Sequence, residues 1–199
     1  EIRIGNSSCF AIPLGNGEKI RGYRATIIIA DEYAQIPENI FQLVVQGFGI
    51  VAANPVKRAK QKAKLKKMIA EGLIDSSVLG QMRKNQIIYA STAFYAFNHL
   101  YKTKSLFQRI IDNKIRGNMR DYPDIFGNDA SDSAVDYRDY AVCVLPYTEM
   151  PDGYLDEAAI RHAKLTMSDE RFRMEYLCEF ISDTKGFFKR SVIEACTPS

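Results

Sequence analysis

The sequence predicts an α/β fold with a mainly parallel sheet flanked by helices. Three observations predict it. Ile27-Ile28-Ile29-Ala30 is a continuous apolar run that ends in Asp31-Glu32, the pattern of a strand buried on both faces. Gln86-Ile87-Ile88-Tyr89-Ala90 and Tyr140-Ala141-Val142-Cys143-Val144-Leu145-Pro146 repeat that pattern. Between the first two runs, apolar residues recur at helical spacing, and a helical crossover is what joins parallel strands.

The chain has 199 residues, of which 46% are hydrophobic and 26% charged. That length buries a sizeable core in one domain, and that balance excludes a disordered chain. No apolar run approaches the ~20 residues of a membrane helix. The opening Glu1-Ile2-Arg3 lacks the basic start and apolar block of a signal peptide, and the missing initiator Met is expected of a fragment or trimmed chain. Cys9, Cys143, Cys178 and Cys196 form no Cys-x-x-Cys pair, which fits reduced thiols of a cytosolic protein. His99 and His162 are isolated and are expected to be surface or structural residues.

Taken in order, Ser8-Cys9-Phe10-Ala11-Ile12-Pro13-Leu14 reads as a short strand and Gly15-Asn16-Gly17 as a turn, so the first two strands are hairpin-linked or neighbours. In Ile20-Arg21-Gly22-Tyr23-Arg24 two arginines flank a glycine. This is either a solvated basic turn or an arginine presented to phosphate, from this subunit or across a ring interface. Asp31 and Glu32 then fall at a strand's C-terminal end, where open α/β sheets bind ligands. In nucleotide hydrolases this is the Walker B position, whose first acid holds Mg²⁺ and whose second polarises the attacking water. The plain alternative is a strand ending in a solvated acidic turn. Pro37 stands near the start of a helix that carries Ile40, Val44, Val45 and Phe48 on its apolar face.

Residues 56–68 hold Lys57, Arg58, Lys60, Lys62, Lys64, Lys66 and Lys67 without one acid, in a chain whose formal net charge is only +3. Without this stretch the chain would be net acidic. Such a run is a solvated face or a contact for a polyanion, most plausibly DNA phosphates. The absence of interleaved aromatics argues against base stacking. Leu73, Val78, Leu79 and Met82 suggest a further short helix. Ser91 and Thr92 follow the second strand. They either face the crevice shared with Asp31 and Glu32, or one of them caps a long helix carrying Phe94, Phe97, Leu100, Phe107, Ile110 and Ile111.

Six aspartates lie within 121–139 among Pro123, Gly127, Asn128, Ser131 and Ser133. That is loop chemistry, with a metal site as the lesser alternative. Pro151-Asp152-Gly153 is a turn. Residues 156–166 and 168–180 read as helices, the second with Phe172, Tyr176, Leu177 and Phe180 on one core-facing side. Lys185-Gly186-Phe187-Phe188 ends it, Val192-Ile193 begins a short final element, and Thr197-Pro198-Ser199 is expected to be an interdomain edge.

Three of these stretches, in this order, resemble the large terminase subunit of tailed bacteriophages, the motor that packages DNA into procapsids. Ile20-Arg21-Gly22-Tyr23-Arg24 with the run to Glu32 is similar to the family's Arg-Gly segment and Walker B motif. Ser91-Thr92-Ala93-Phe94 is similar to its coupling motif. Glu175-Tyr176-Leu177-Cys178-Glu179-Phe180, continuing to Gly186-Phe187-Phe188, is similar to the segment that closes its ATPase domain. The resemblance implies a RecA-like (ASCE) P-loop NTPase core with a small lid, incomplete at its N-terminus. It further implies ATP and Mg²⁺ as cofactors and a homo-oligomeric ring, a pentamer by family likeness, around double-stranded DNA. A portal protein and a small terminase subunit would be partners in the host cytoplasm. By motif position Asp31 would serve Mg²⁺, Glu32 would be the catalytic carboxylate, and Ser91 and Thr92 would couple hydrolysis to movement. Arg21, with Arg24 as second choice, would act in trans on a neighbour's ATP.

Two departures shape the expectation. No Gly-x-x-x-x-Gly-Lys-Ser/Thr occurs, so the phosphate loop is expected upstream of Glu1 and this chain alone is expected not to hydrolyse ATP. The family's acidic nuclease domain is expected beyond Ser199, and a sheet without its phosphate-loop strand is expected to be fragile or associated. The lysine-rich stretch lengthens the interval between Glu32 and Ser91 and reads as an insertion. The remaining alternatives are a non-catalytic DNA-binding or ring-interaction module using residues 57–67, and a metal-dependent nuclease using the aspartates of 121–139.

Overall fold

A computed structural model of the chain describes residues 2–5, 7–15, 23–49, 55–76, 78 and 84–182. They belong to two units, Glu1–Ala90 and Ser91–Ser199. The described residues form a mixed α/β protein whose sheets are small and two-stranded, one of them parallel.

In the first unit, β1 (Ile2–Ile4) and β2 (Ser7–Cys9) pair antiparallel, turning at Gly5 with φ +57°, a conformation glycine adopts at no steric cost. The expected strand from Ser8 is thus shorter and begins earlier. Its partner lies before it, while residues 16–22 fall outside the described residues. β3 (Ile27–Ala30) and β4 (Gln86–Tyr89) form the parallel pair, with Ile28 opposite Ile87 and Ala30 opposite Tyr89.

Between them runs the expected crossover helix, made of consecutive stretches Glu38–Ile40, Phe41–Val45 and Gln46–Phe48, the middle one π-helical. Its buried positions Phe41, Val45 and Phe48 recur at i, i+4 and i+7. The end of this helix is tied back to the start of both strands. Ala25 N–H donates to the Phe48 carbonyl at 3.1 Å, and the Asn85 side-chain amide donates to the Gly49 carbonyl at 2.6 Å.

One expectation fails at β3. The strand is buried on one face only: Ile28 and Ala30 are buried, whereas Ile27 and Ile29 are 48% and 65% exposed. Ile88 on β4 is likewise 47% exposed. Strand residues alternate between faces, and the crossover element covers just one of them. The lysine-rich stretch is helical over Pro55–Ala70, with no buried residue. Of the proposed short helix after it, Leu73 is exposed in a turn and most of the remainder lies outside the described residues.

In the second unit the long helix spans His99–Asp112 and is capped by Asn98, whose side chain accepts from Leu100 N–H at 2.8 Å. Neither Ser91 nor Thr92 caps it, and Phe94 and Phe97 precede it. The aspartate-rich region is more ordered than a loop. β5 (Arg116–Asn118) pairs antiparallel with β6 (Ala134–Asp136), and Pro123–Phe126 is a short helix. Ile110, Ile115 and Val135 form the core beneath them, with Leu106, Met119 and Tyr122 packed against it.

Residues 140–146, expected as a third buried strand, are irregular chain with no strand pairing among the described residues, and Val144 and Leu145 are exposed. An apolar run becomes a strand only where a neighbour takes its N–H and C=O groups. The last two helices, Glu157–Thr166 and Asp169–Leu177, are capped by Asp156 and Ser168 as their sequence pattern demands. Phe172 is buried and stacks on Tyr176 at 4.8 Å. Residues 183–199, with the predicted Phe187-Phe188 ending and final element, lie outside the described residues.

Candidate functional site at the end of the parallel strands

The chain leaves β3 at Ala30 and turns through Asp31 and Glu32 into the short 3-10 helix Tyr33–Gln35. This turn is fastened on both sides to Ala90, the residue after β4. Ala90 N–H donates to the Ala30 carbonyl at 2.9 Å, and the Ala90 carbonyl accepts from Tyr33 N–H at 3.0 Å. The two carboxylates therefore sit in a closed loop at the C-terminal end of a parallel pair.

Beneath the loop the aromatic rings of Tyr33, Phe41 and Tyr89 pack together. Tyr33 lies 4.8 Å from Phe41 and 4.7 Å from Tyr89, both edge-on, and Phe41 lies 5.4 Å from Tyr89. Phe41 is fully buried. Edge-to-face rings at these spacings hold one another in place, which makes a stiff base for the turn above.

Both acids are exposed. Asp31 Oδ1 accepts from Glu32 N–H at 3.1 Å, and Glu32 Oε2 accepts from the Gln35 side-chain amide at 3.2 Å. Glu32 adopts φ 51°, ψ 42°, in the left-handed region. Among the described residues two other non-glycine residues have positive φ, Lys114 and Cys178. Both lie at helix C-termini, where a left-handed residue is the usual terminator. Glu32 instead precedes a helical turn, so its conformation has no such local cause.

The donor chemistry suits a hard cation: carboxylate oxygens are the ligands Mg²⁺ takes, usually one or two of them with substrate phosphates and water. Asp31 and Glu32 are two adjacent exposed side chains of that type. Among the described residues no group of three or more His, Cys, Asp or Glu side chains could hold a metal by itself. Three of the six aspartates of 121–139 are engaged otherwise. Asp136 is held by Arg138 at 2.5 Å and faces Arg116 at 3.6 Å, while Asp132 meets Arg120 at 2.7 Å. The Asp121 side chain accepts from Asn118 N–H in a capping box. The first of these contacts holds the Asp136 carboxyl well below the usual carboxylate range, chiefly through the Arg138 side chain and then its backbone N–H.

Ser91 and Thr92, both half-buried, open the second unit directly after Ala90. Two of the three stretches that carry the resemblance meet within that unit. Ala96 N–H donates to the Ile181 carbonyl at 2.9 Å, and Ile181 N–H donates to the Phe94 carbonyl at 3.2 Å. The segment after Thr92 is thereby joined to the one that follows Phe180. Arg21 lies outside the described residues. Arg24 is exposed and donates to the Tyr23 carbonyl at 2.7 Å. Lys57, Arg58, Lys60, Lys62, Lys64, Lys66 and Lys67 all lie on the Pro55–Ala70 helix. Gln35 and Tyr33 escaped the sequence reading; the only signal for them is their position just past the acid pair.

The described residues thus define a mixed α/β protein with an acidic turn at the C-terminal end of a parallel pair. Compared with known proteins, the chain matches no family model, no curated protein and no solved structure. Among the described residues no helix is long and apolar enough to cross a membrane.

Proposed function

We propose that the chain is the C-terminal part of a RecA-like P-loop ATPase domain of the terminase kind, which couples ATP hydrolysis to translocation of double-stranded viral DNA. The observation that carries this reading is the acid turn: two adjacent carboxylates closing a parallel strand, with Glu32 in a left-handed conformation that the local chain does not require. Conformations of this sort persist where the surroundings impose them, and they cluster at active sites.

In this reading Asp31 takes part in holding Mg²⁺, which supplies charge neutralisation for the transferred phosphoryl group. Glu32 orients and polarises the attacking water, with its own carboxylate steadied by the Gln35 amide. Ser91 and Thr92 stand one and two residues beyond Ala90, which fastens the acid turn, and are assigned the coupling role. Arg21 is assigned the trans-acting role, with Arg24 second. The phosphate-binding loop, the ring, the portal protein and the small subunit belong to the proposal as well.

The test is ATP turnover by the proposed longer protein, in which this segment is joined to a phosphate-binding loop. Glu32→Gln is expected to abolish turnover while nucleotide binding persists. Unchanged turnover in that variant overturns the reading.

A further inference from the structure

The seven cations of the Pro55–Ala70 helix are sorted by face. Its half-buried residues are Arg58, Leu65, Met68 and Ile69. At 3.6 residues per turn these fall on one side, within an arc of roughly 100°. The opposite side carries a stripe of small residues, Ala59, Ala63 and Ala70, with Val56 beside them. Lysines flank that stripe. On one flank Lys57, Lys60, Lys64 and Lys67 follow at intervals of three, four and three residues, and on the other Lys62 and Lys66 follow at four. All six are exposed. Lys67 meets Glu71 at 3.8 Å, a loose pair with both side chains largely in solvent. Among the described residues no ion pair engages the other five.

Such a helix is costly to itself. Like charges three and four residues apart repel, and with no buried residue the helix lacks the packing that ordinarily stabilises one. A polyanion laid along the outward side removes the repulsion. The outward face also discriminates among polyanions. Helices that lie in a membrane surface offer large exposed apolar side chains to it, whereas here Leu65, Met68 and Ile69 are half-buried on the inner side and the outward stripe is mainly alanine. Single strands are gripped by stacking aromatics, and the helix has none. The major groove of duplex RNA is too deep and narrow to enter, whereas that of B-DNA, about 12 Å wide, admits an α-helix.

We infer that the Pro55–Ala70 helix docks in the major groove of duplex DNA. Its alanine stripe faces the groove floor, and its two lysine flanks reach the two phosphate strands. The contact is independent of base sequence and of nucleotide. It shares duplex DNA with the proposed function but stands on the helix alone, so it is read as binding, not as turnover.

The experiment is fluorescence anisotropy with a 30-base-pair mixed-sequence duplex, without nucleotide, across a salt series. Each released counterion contributes about 0.9 to the slope of log K against log salt. Lys57, Lys60, Lys64 and Lys67 changed together to Gln are expected to lower that slope by about 3.6, and Lys62→Gln with Lys66→Gln by about 1.8. Arg58→Gln, on the inner side, is expected to change it by less than about 0.5. Circular dichroism reports whether the variants keep their helix content. A second arm uses the unaltered protein, so it does not depend on any variant folding. Duplex whose major groove is filled by glucosylated hydroxymethylcytosine is expected to bind at least about tenfold more weakly than plain duplex, since it loses contacts on both flanks. Equal binding to the two duplexes overturns the groove placement. An unchanged slope after removal of either flank, or tighter binding to phosphatidylserine vesicles or to single strands than to duplex, overturns the partner.

Discussion

The backbone N–H of Glu32 donates to Asp31 Oδ1 at 3.1 Å while Glu32 itself is left-handed, at φ 51° and ψ 42°. For an L-residue the left-handed region costs about 1–2 kcal/mol. Glycine escapes that cost but gives back about 0.5–1 kcal/mol through its freer unfolded chain. Glu32→Gly is therefore expected to leave stability unchanged or raise it by up to about 1 kcal/mol, and, on the ATPase proposal, to abolish turnover by the proposed longer protein. Urea unfolding and a turnover assay on the same variant read both. A loss of more than about 1 kcal/mol would place the cost in the side chain and its Gln35 bond instead of the backbone.

Phe41 anchors the base of the acid turn. It is fully buried and in ring contact with Tyr33 and Tyr89. Truncation removes both ring contacts and leaves a cavity, so Phe41→Ala is expected to cost about 3–5 kcal/mol. Phe41→Leu, which keeps much of the volume, is expected to cost clearly less. Equilibrium denaturation of the two variants checks the order.

Asp136 supplies a pH dependence. Its folded pKa lies below the ordinary carboxylate value, first because the Arg138 side chain bonds it and then because the Arg138 N–H does. A depressed carboxyl pKa stabilises the folded state above the unfolded value, near pH ~4. That contribution is lost as pH falls from there through the depressed value. In Asp136→Asn the melting temperature is expected to depend less on pH below about 4 than in the parent. Because Arg138 is exposed, added salt should weaken the difference. Melting curves at several pH values, with and without salt, test the sign.

The start of the long helix shows what was legible and what was not. Phe94 and Phe97 match the helical period of Leu100 and Phe107, so the pattern extends the helix back to Thr92. The chain uses those residues otherwise. Phe94 and Ala96 bond Ile181, and Asn98 makes the cap. No local signal announces a partner more than eighty residues away. The same holds for Arg116–Asn118 and Ala134–Asp136, whose composition is not that of strands. They pair over the Ile110, Ile115 and Val135 core, with Arg116 opposite Asp136. Residues 140–146 are the converse, strand-like in composition and lacking a ladder among the described residues. By contrast the acid pair at the strand end, the crossover helix and, to within a residue, the starts of the last two helices were legible, because each is written in adjacent residues. Asn98→Ala is expected to cost about 0.5–2 kcal/mol. Ser91→Ala and Thr92→Ala should leave the His99–Asp112 helix content unchanged by circular dichroism.

Ile28 and Ile29 are neighbours with opposite fates. Both are β-branched, both lie in β3, and both pair with β4, yet Ile28 is buried and Ile29 is 65% exposed. Sequence treats them alike, since a run of three isoleucines carries no period, and only the elements packed on each face distinguish them. Ile28 lies beneath Gly49, whose added Cβ would come within 3.5 Å of the Ile28 Cδ1. Ile28→Ala is therefore expected to cost about 2–5 kcal/mol. Ile29→Ala, which loses little burial, is expected to cost about 1 kcal/mol or less. The contrast reads the state of the sheet directly. If Ile29→Ala costs as much as Ile28→Ala in the isolated chain, the outer face is covered in solution. If that cost appears only in the longer protein of the ATPase proposal, a segment outside these 199 residues covers Ile27, Ile29 and Ile88, as a wider parallel sheet requires.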